Sequence, residues 1–272
     1  MDSVIDYYTG FAEREWSRLD REPLEFIINY HYIKQSLPEK AHILDNGAGP
    51  GKYSMALAAE GYEITLSDLT PKLVSLAEKK ARELGLTDQF HGFHNLDAGD
   101  LSHFQDEMFD AALMMGPLYH LQKDDDRIKA VQELYRVTKK GGIVFAAFRS
   151  RVHHMYASLQ SPDHWKPNDS IDSIKSFLVN GTFDHQEKGR FTGAYFYRVE
   201  EISPFMEANG FQTDALIGST AIGAALNVDS WNLWKGKGDQ EFEKLIELLI
   251  ETAKDPSLLG ISSHLLYIGK KE

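Results

Sequence analysis

The chain has 272 residues, 42% of them hydrophobic and 26% charged, enough to bury a substantial core and too apolar for wholesale disorder. Lys and Arg number 29 against 41 Asp and Glu, and the resulting charge of −12 argues against a grip on nucleic acid or an anionic membrane surface. The absence of cysteine excludes disulfides, zinc–thiolate sites, cysteine nucleophiles and iron–sulfur clusters.

The opening MDSVIDYYTG has acids where a signal peptide needs basic and then apolar residues. No uncharged apolar run approaches the ~20 residues that span a bilayer. The reading is a soluble, cytoplasmic protein. Ala41–Asn46 is a short apolar run closed by glycines, which predicts a buried strand. Lys52–Glu60 has helical composition and stops at Gly61. Tyr62–Ser67 alternates like a strand, and Thr70-Pro71 supplies an N-cap and a first-turn proline for a helix over Pro71–Leu84. Phe90–Leu96 and Phe109–Met115 read as the third and fourth strands, Asp126–Lys139 as a helix, and Gly141-Gly142 as the opening of a fifth strand, Ile143–Phe148. Strands separated by helices of this length imply right-handed crossovers and a parallel sheet covered on both faces.

Arg149–Glu200 shows little periodicity and reads as an insertion over the sheet. Glu201–Asn209 is a short helix, Phe211–Ile217 a sixth strand and Ile261–Lys270 a last one. Between them, Phe242, Leu245, Ile246 and Leu249 mark one face of a helix over Gln240–Lys254. The whole is read as one domain over 1–272, with an N-terminal helical cap at 1–40, a core at 41–150, and substrate-side insertions at 151–200 and 219–260.

The chemistry concentrates in Asp45-Asn46-Gly47-Ala48-Gly49-Pro50-Gly51, between a strand and a helix. Closely spaced glycines let the backbone turn tightly and approach a ligand, at the strand end where open α/β sheets bind. Asp68 ends the second strand 17 residues after Gly51, where a carboxylate can accept both hydroxyls of a ribose. The G-x-G-x-G spacing departs from the G-x-G-x-x-G of dinucleotide oxidoreductases.

ILDNGAGPGKYSMALA, ITLSDLTPKLVSLAEKKA, DAGDLSHF, FDAALMMGPLYHL and ELYRVTKKGGIVFAAF follow in order over about residues 41–150. This series resembles the class I S-adenosylmethionine-dependent methyltransferase family. The resemblance implies a doubly wound, Rossmann-like, seven-stranded and mostly parallel sheet, its last strand antiparallel, with a lid-like insertion. It also implies S-adenosyl-L-methionine as cofactor. Gly47, Gly49 and Gly51 would turn beneath the methionine portion, and Asp45 would orient the amino group. Asp68, with Leu69 beside it, would hold the ribose. Asp97 and the Ala98 N–H would meet adenine, with Asp100 the alternative carboxylate. Gly116 would border the sulfonium, and Tyr119 and His120 would face the substrate. Asn46 departs from the usual apolar residue, as an extra hydrogen bond or a tolerated change.

His120 is the candidate general base, since its ordinary titration lies near neutrality; the alternative is that Tyr119 and His120 wall the pocket. Tyr7 and Tyr8 are candidates to close over the cofactor, and Trp16 to do so or simply to pack. His153, His154 and His164 do not suit a metal, and none is expected. Arg149 and Arg151 could bind a substrate carboxylate or stand solvated at a loop edge. Tyr195, Phe196 and Tyr197 line a lid or anchor the insertion. The expected partner is a small-molecule methyl acceptor, on O or N, with no nucleic acid or membrane and a homodimer left open. The alternatives are a tRNA or protein methyltransferase, or a non-catalytic cofactor-binding regulator.

Overall fold

The computed structural model describes residues 2–185, 187 and 193–272. Three helices come first: α1 (Asp2–Trp16), α2 (Arg18–Arg21) and α3 (Pro23–Ser36). Then strands and helices alternate: β1 (His42–Asn46), α4 (Lys52–Ala59), β2 (Glu63–Asp68), α5 (Pro71–Glu83), β3 (Phe90–Asn95), β4 (Phe109–Met114), α6 (Asp124–Val137) and β5 (Thr138–Arg149). The second half holds α7 (Arg151–Gln160), α8 (Ile171–Asn180), a small hairpin of β6 (Thr182–Phe183) and β7 (Ala194–Tyr195), and α9 (Val199–Glu207). It closes with β8 (Phe211–Gly218), α10 (Val228–Gly236), α11 (Asp239–Thr252) and β9 (His264–Lys271).

Seven strands form one sheet in the order β3-β2-β1-β4-β5-β9-β8. The β3 to β5 strands are mutually parallel, and β9 runs antiparallel to both β5 and β8. The order turns outward in both directions from β1 and β4, which opens a crevice at their carboxyl ends. Each face is covered. Ile28, Ile33, Leu57 and Leu249 pack on one side, and Val131, Leu134, Ile202 and Met206 on the other, all buried. The continuous apolar strands follow from that two-sided burial.

Several local readings change. Gly141-Gly142 does not open β5; the strand starts at Thr138 directly after α6, and the pairing jumps from Phe109↔Thr138 to Ala111↔Ile143. The glycines lie in that bulge, where Gly141 has φ +75° and a Cβ on Gly142 would fall 2.9 Å from the Asp110 carbonyl. Thr70 precedes α5 but its side chain makes no cap; its N–H instead donates to Asp68 Oδ1 at 2.8 Å.

The 151–200 stretch is more regular than its sequence suggests, although 186 and 188–192 lie outside the described residues. It folds around a small core of Phe177, Phe183, Ala194 and Phe196. His153 and His154 sit on α7. The His154 ring stacks on Phe196 at 4.3 Å and is edged by Trp165, Phe177 and Phe183. Arg151 is buried and ties this unit together, donating to the carbonyls of Phe196, Leu178 and Val179 at 2.9–3.3 Å. Arg149 is also enclosed, its guanidinium 4.9 Å from the Phe196 ring centre. Neither arginine is a solvated loop-edge charge. Arg127 lies 3.6 Å from the Tyr195 ring, so that tyrosine anchors the insertion on α6.

Among the described residues no helix is long and apolar enough to cross a membrane. No group of three or more His, Cys, Asp or Glu among them is placed to hold a metal.

Candidate functional site

The loop from β1 to α4 is left-handed at Gly47, Gly49 and Gly51, with φ of +73°, +59° and +82°. The N–H groups of Gly47 and Ala48 both donate to the Ser67 carbonyl, at 2.8 and 3.0 Å, and stitch the loop onto β2. A Cβ on Gly47 would lie 2.2 Å from Pro117 Cγ, so only glycine lets this loop meet the turn after β4. Gly49 borders a cavity of about 160 Å³ at the carboxyl edge of the sheet. Gly51 does not line it; a Cβ there would press on Leu66 at 2.9 Å, so this glycine serves packing.

Asp68 closes β2 at the cavity wall. Its Oδ2 accepts from Gly49 N and its Oδ1 from Thr70 N, both at 2.8 Å. Burial raises its pKa, although these N–H donors favour the charged form. Asp45 lies beneath the loop, outside the cavity lining, with 2% exposure. Ser54 Oγ donates to its Oδ2 at 2.6 Å, while Oδ1 is buried with no hydrogen-bond partner. Burial pushes the Asp45 carboxyl up to about 7, and the nearby Asp68 charge adds to the effect while the Ser54 bond opposes it. Asn46 does make an extra bond, accepting from Ser67 Oγ at 3.1 Å.

Leu69, Asp97 and Ala98 border the same cavity. Asp97 Oδ1 accepts from Gly99 N at 2.8 Å; Asp100 is exposed and does not reach the cavity. Opposite, Gly116 leads into the Pro117–Tyr119 turn, and Tyr119 Oη donates to the Met115 carbonyl at 3.1 Å. Burial pushes the Tyr119 phenol up to about 12.

His120 follows, with its Nε2 2.9 Å from Tyr8 Oη. Burial, with the Arg149 charge in support, lowers its pKa to about 3. The half-buried imidazole at the cavity wall thus favours its neutral form, below the near-neutral titration expected from the sequence. Tyr7 does not line the cavity; its ring packs edge-on against Tyr8 at 5.1 Å. Trp16 packs beside the site, its ring 4.6 Å from Lys52 Nζ and 5.2 Å from Lys80 Nζ.

The sequence reading missed Glu15 and Arg18, which line the cavity from the N-terminal helices. Arg18 Nε meets Glu15 Oε1 at 2.9 Å, and its Nη1 meets Glu25 Oε2 at 2.9 Å. Glu25 is buried, which alone would raise its pKa, but Arg18 pulls it down to about 2. His264 Nδ1 lies 3.5 Å from the same carboxylate. Burial holds that histidine neutral down to about 3, so Arg18 is the counter-ion at neutral pH. The available signal was charge placed among Leu19, Leu24, Phe26 and Ile27, where a solvated face has no reason to be so apolar.

Residues 44–146, which carry the glycine loop, Asp68 and the Gly116 turn, match the family model of the methyltransferase domain. Over those residues the chain carries a class I S-adenosyl-L-methionine-dependent methyltransferase domain. Its relatives include the YqeM protein of Bacillus subtilis, itself assigned only provisionally as a methyltransferase, at 32% identity over 50% of this chain and 53% of that one. A tRNA (carboxymethyluridine(34)-5-O)-methyltransferase of Arabidopsis thaliana is 34% identical over 40% of this chain and 24% of its own length. A ubiquinone biosynthesis O-methyltransferase of Xanthomonas axonopodis is 29% identical over 79% of this chain and 83% of its own. The chain thus spans about half or less of the first two of these relatives.

Among solved structures, S-adenosylmethionine-dependent methyltransferases of Methanosarcina mazei and Thermotoga maritima share the fold of this methyltransferase domain. Both have TM-scores of 0.58, at 22% and 17% identity, covering 88% and 98% of this chain and 96% and 99% of theirs.

Proposed function

We propose that the protein transfers the methyl group of S-adenosyl-L-methionine to an oxygen or nitrogen atom of a small molecule. The observation that carries the reading is the pairing of two features across one cavity: the Gly47–Gly49 loop with Asp68, and the Gly116–His120 turn. The residues fit the cofactor. Asp45 Oδ1 is a buried acceptor with no hydrogen-bond partner, beneath a loop that is open at Gly49, and a water between it and a bound ammonium group would satisfy it.

In this reading Gly47, Gly49 and Gly51 shape the turn under the methionine portion, and Asp45 orients its amino group, directly or through water. Asp68 accepts from the ribose hydroxyls, with Leu69 beside them. Asp97 and the Ala98 N–H meet the adenine, and Gly116 leaves space at the sulfonium. Arg18, poised by Glu15 and Glu25, is a cation available to a carboxylate in the cavity, as is Lys52. Tyr8 closes the site with Tyr7 packed behind it. Residues 1–40 cap the 41–150 core, and 151–200 and 219–260 supply acceptor-side elements.

The bound cofactor supplies an electrophilic methyl group whose leaving sulfur needs no acid. The protein contributes alignment, worth up to about 7–11 kcal/mol for near-attack geometry, and exclusion of water by the N-terminal helices. With its proton affinity suppressed, His120 serves with Tyr119 as a neutral, hydrogen-bonding wall. The small-molecule reading is supported by the −12 charge and by the extended overlap with the ubiquinone biosynthesis O-methyltransferase.

The test is incubation of purified protein and methyl-labelled donor with cell extract separated by size. Label in the small-molecule fraction is expected. Label in RNA or protein would replace the acceptor class, and donor binding with no labelled product would make the chain a non-catalytic binder.

A further inference from the structure

The carboxyl edge of the sheet holds a second cavity, larger than the first at about 420 Å³. The first lies at the ends of β1, β2 and β4. The second lies at the other half of that edge, bordered by Thr220 just past β8 and Ser263 just before β9. Leu24, Ile27, Trp231, Phe242 and Ile246 give it apolar walls. Gly223 brings the Ala221–Ala225 turn against them, since a Cβ there would sit 2.5 Å from Leu24 and 3.2 Å from Trp231.

A continuous polar floor runs under these walls. Thr220 Oγ1 and Ser263 Oγ are 3.2 Å apart, Ser263 Oγ is 3.2 Å from His264 Nδ1, and that nitrogen is 3.5 Å from Glu25. Glu25 lines the second cavity and Arg18 lines the first, so their ion pair is a shared partition. The charged groups around the second cavity balance, Arg21 and Lys235 against Glu22 and Glu25. Such a lining has no surplus charge with which to hold an ion. Its aromatic walls and hydroxyl-bearing floor suit a flat apolar body with one polar end.

We propose that this second cavity is a binding site, separate from the donor cavity, for an uncharged, ring-bearing small molecule whose hydrogen-bonding head faces the Thr220–Ser263–Glu25 floor. This rests on the reading that the first cavity holds the methyl donor. The ligand enters between α3, α10 and α11, and its head stops at the Arg18–Glu25 partition.

The experiment is calorimetric titration of the full chain with 2-naphthol, a neutral fused-ring phenol, and separately with S-adenosyl-L-homocysteine. One naphthol site per chain is expected. Ala224→Phe, which fills the cavity, should weaken naphthol at least tenfold, and Trp231→Ala, which removes a wall, at least fivefold. Both should keep the affinity for S-adenosyl-L-homocysteine within twofold and the parental circular dichroism spectrum. Should Ala224→Phe not fold, Trp231→Ala decides alone. Naphthol that fails to bind the parent, or binds the folded variants as it binds the parent, overturns the pocket assignment. A parent that binds naphthol but no S-adenosyl-L-homocysteine overturns the donor-site reading instead.

Discussion

Tyr8 on α1 and His120 after β4 meet across 112 residues of chain, Oη to Nε2 at 2.9 Å, with their rings edge to face at 5.5 Å. Burial holds the tyrosine well above its ordinary pKa and the histidine down at about 3, so neither changes charge between pH 5 and 9. The expected outcome is that His120→Gln lowers turnover but keeps the parental pH–rate shape. Tyr8→Phe should weaken donor binding severalfold through the loosened α1. A break near pH 6.5 in the parent that vanishes in His120→Gln would restore the general-base role.

Asp45 makes donor affinity depend on pH. Its carboxyl is pushed up to about 7, and a bound ammonium group favours the charged form. Below pH 7 the donor must expel a proton to pair with it, so affinity should rise about tenfold from pH 6 to pH 8. Calorimetry across that range should show the rise in the parent and a flat, weaker profile in Asp45→Asn. Folding responds in the opposite sense: the raised pKa contributes stability below about pH 4 that is lost as pH rises through 7. Asp45→Asn should therefore melt higher than the parent at pH 8 by more than at pH 5.

Removing the Asp68 carboxylate should cost at least tenfold in donor affinity. A charge-assisted hydrogen bond is worth about 1.5–3 kcal/mol, and the same carboxylate also holds the Gly49 and Thr70 N–H groups in place. Asp68→Ala measured by titration calorimetry checks this, and unchanged affinity would remove the residue from the site.

The buried His154 should make the protein acid-labile well above the carboxylate range. Burial, with Arg149, His153 and His185 nearby, lowers its pKa to about 2. The unfolded chain binds a proton near pH 6.5 that the folded chain refuses. Stability is thus fully present above 6.5 and falls by up to about 1.4 kcal/mol per pH unit below it for this group. His154→Phe, which keeps the aromatic packing, should show a smaller loss in urea midpoint between pH 7 and 5.5. Equal losses in both proteins would rule out His154 as the source.

The cofactor half was legible because its signals are local. Apolar runs ending in Asp45 and Asp68, punctuated by glycines with left-handed backbone, describe strand ends and a loop without knowledge of neighbours. What failed depended on distant partners. Gly141-Gly142 reads as the opening of a strand until the close Asp110 carbonyl on the adjacent strand shows the pair inside a bulge. Arg18 and Glu25 went unmarked because nothing in their spacing says that His264, far along the chain, closes over them. The histidine pair at 153 and 154 gave no hint that one would bond the Ile261 carbonyl and the other enter an aromatic core.

The placement of β9 between β5 and β8 has a consequence for how the chain comes together. As the chain emerges from the ribosome, β5 is made more than a hundred residues before its antiparallel neighbour, and β8 has no partner to dock on in the interval. Through that time the nascent sheet carries an open flank, with Val144, Ala146 and Phe148 able to pair with any extended segment at hand. Only when 264–271 slots in is the open side of β5 covered and β8 paired, so one late segment zips two halves of the molecule shut.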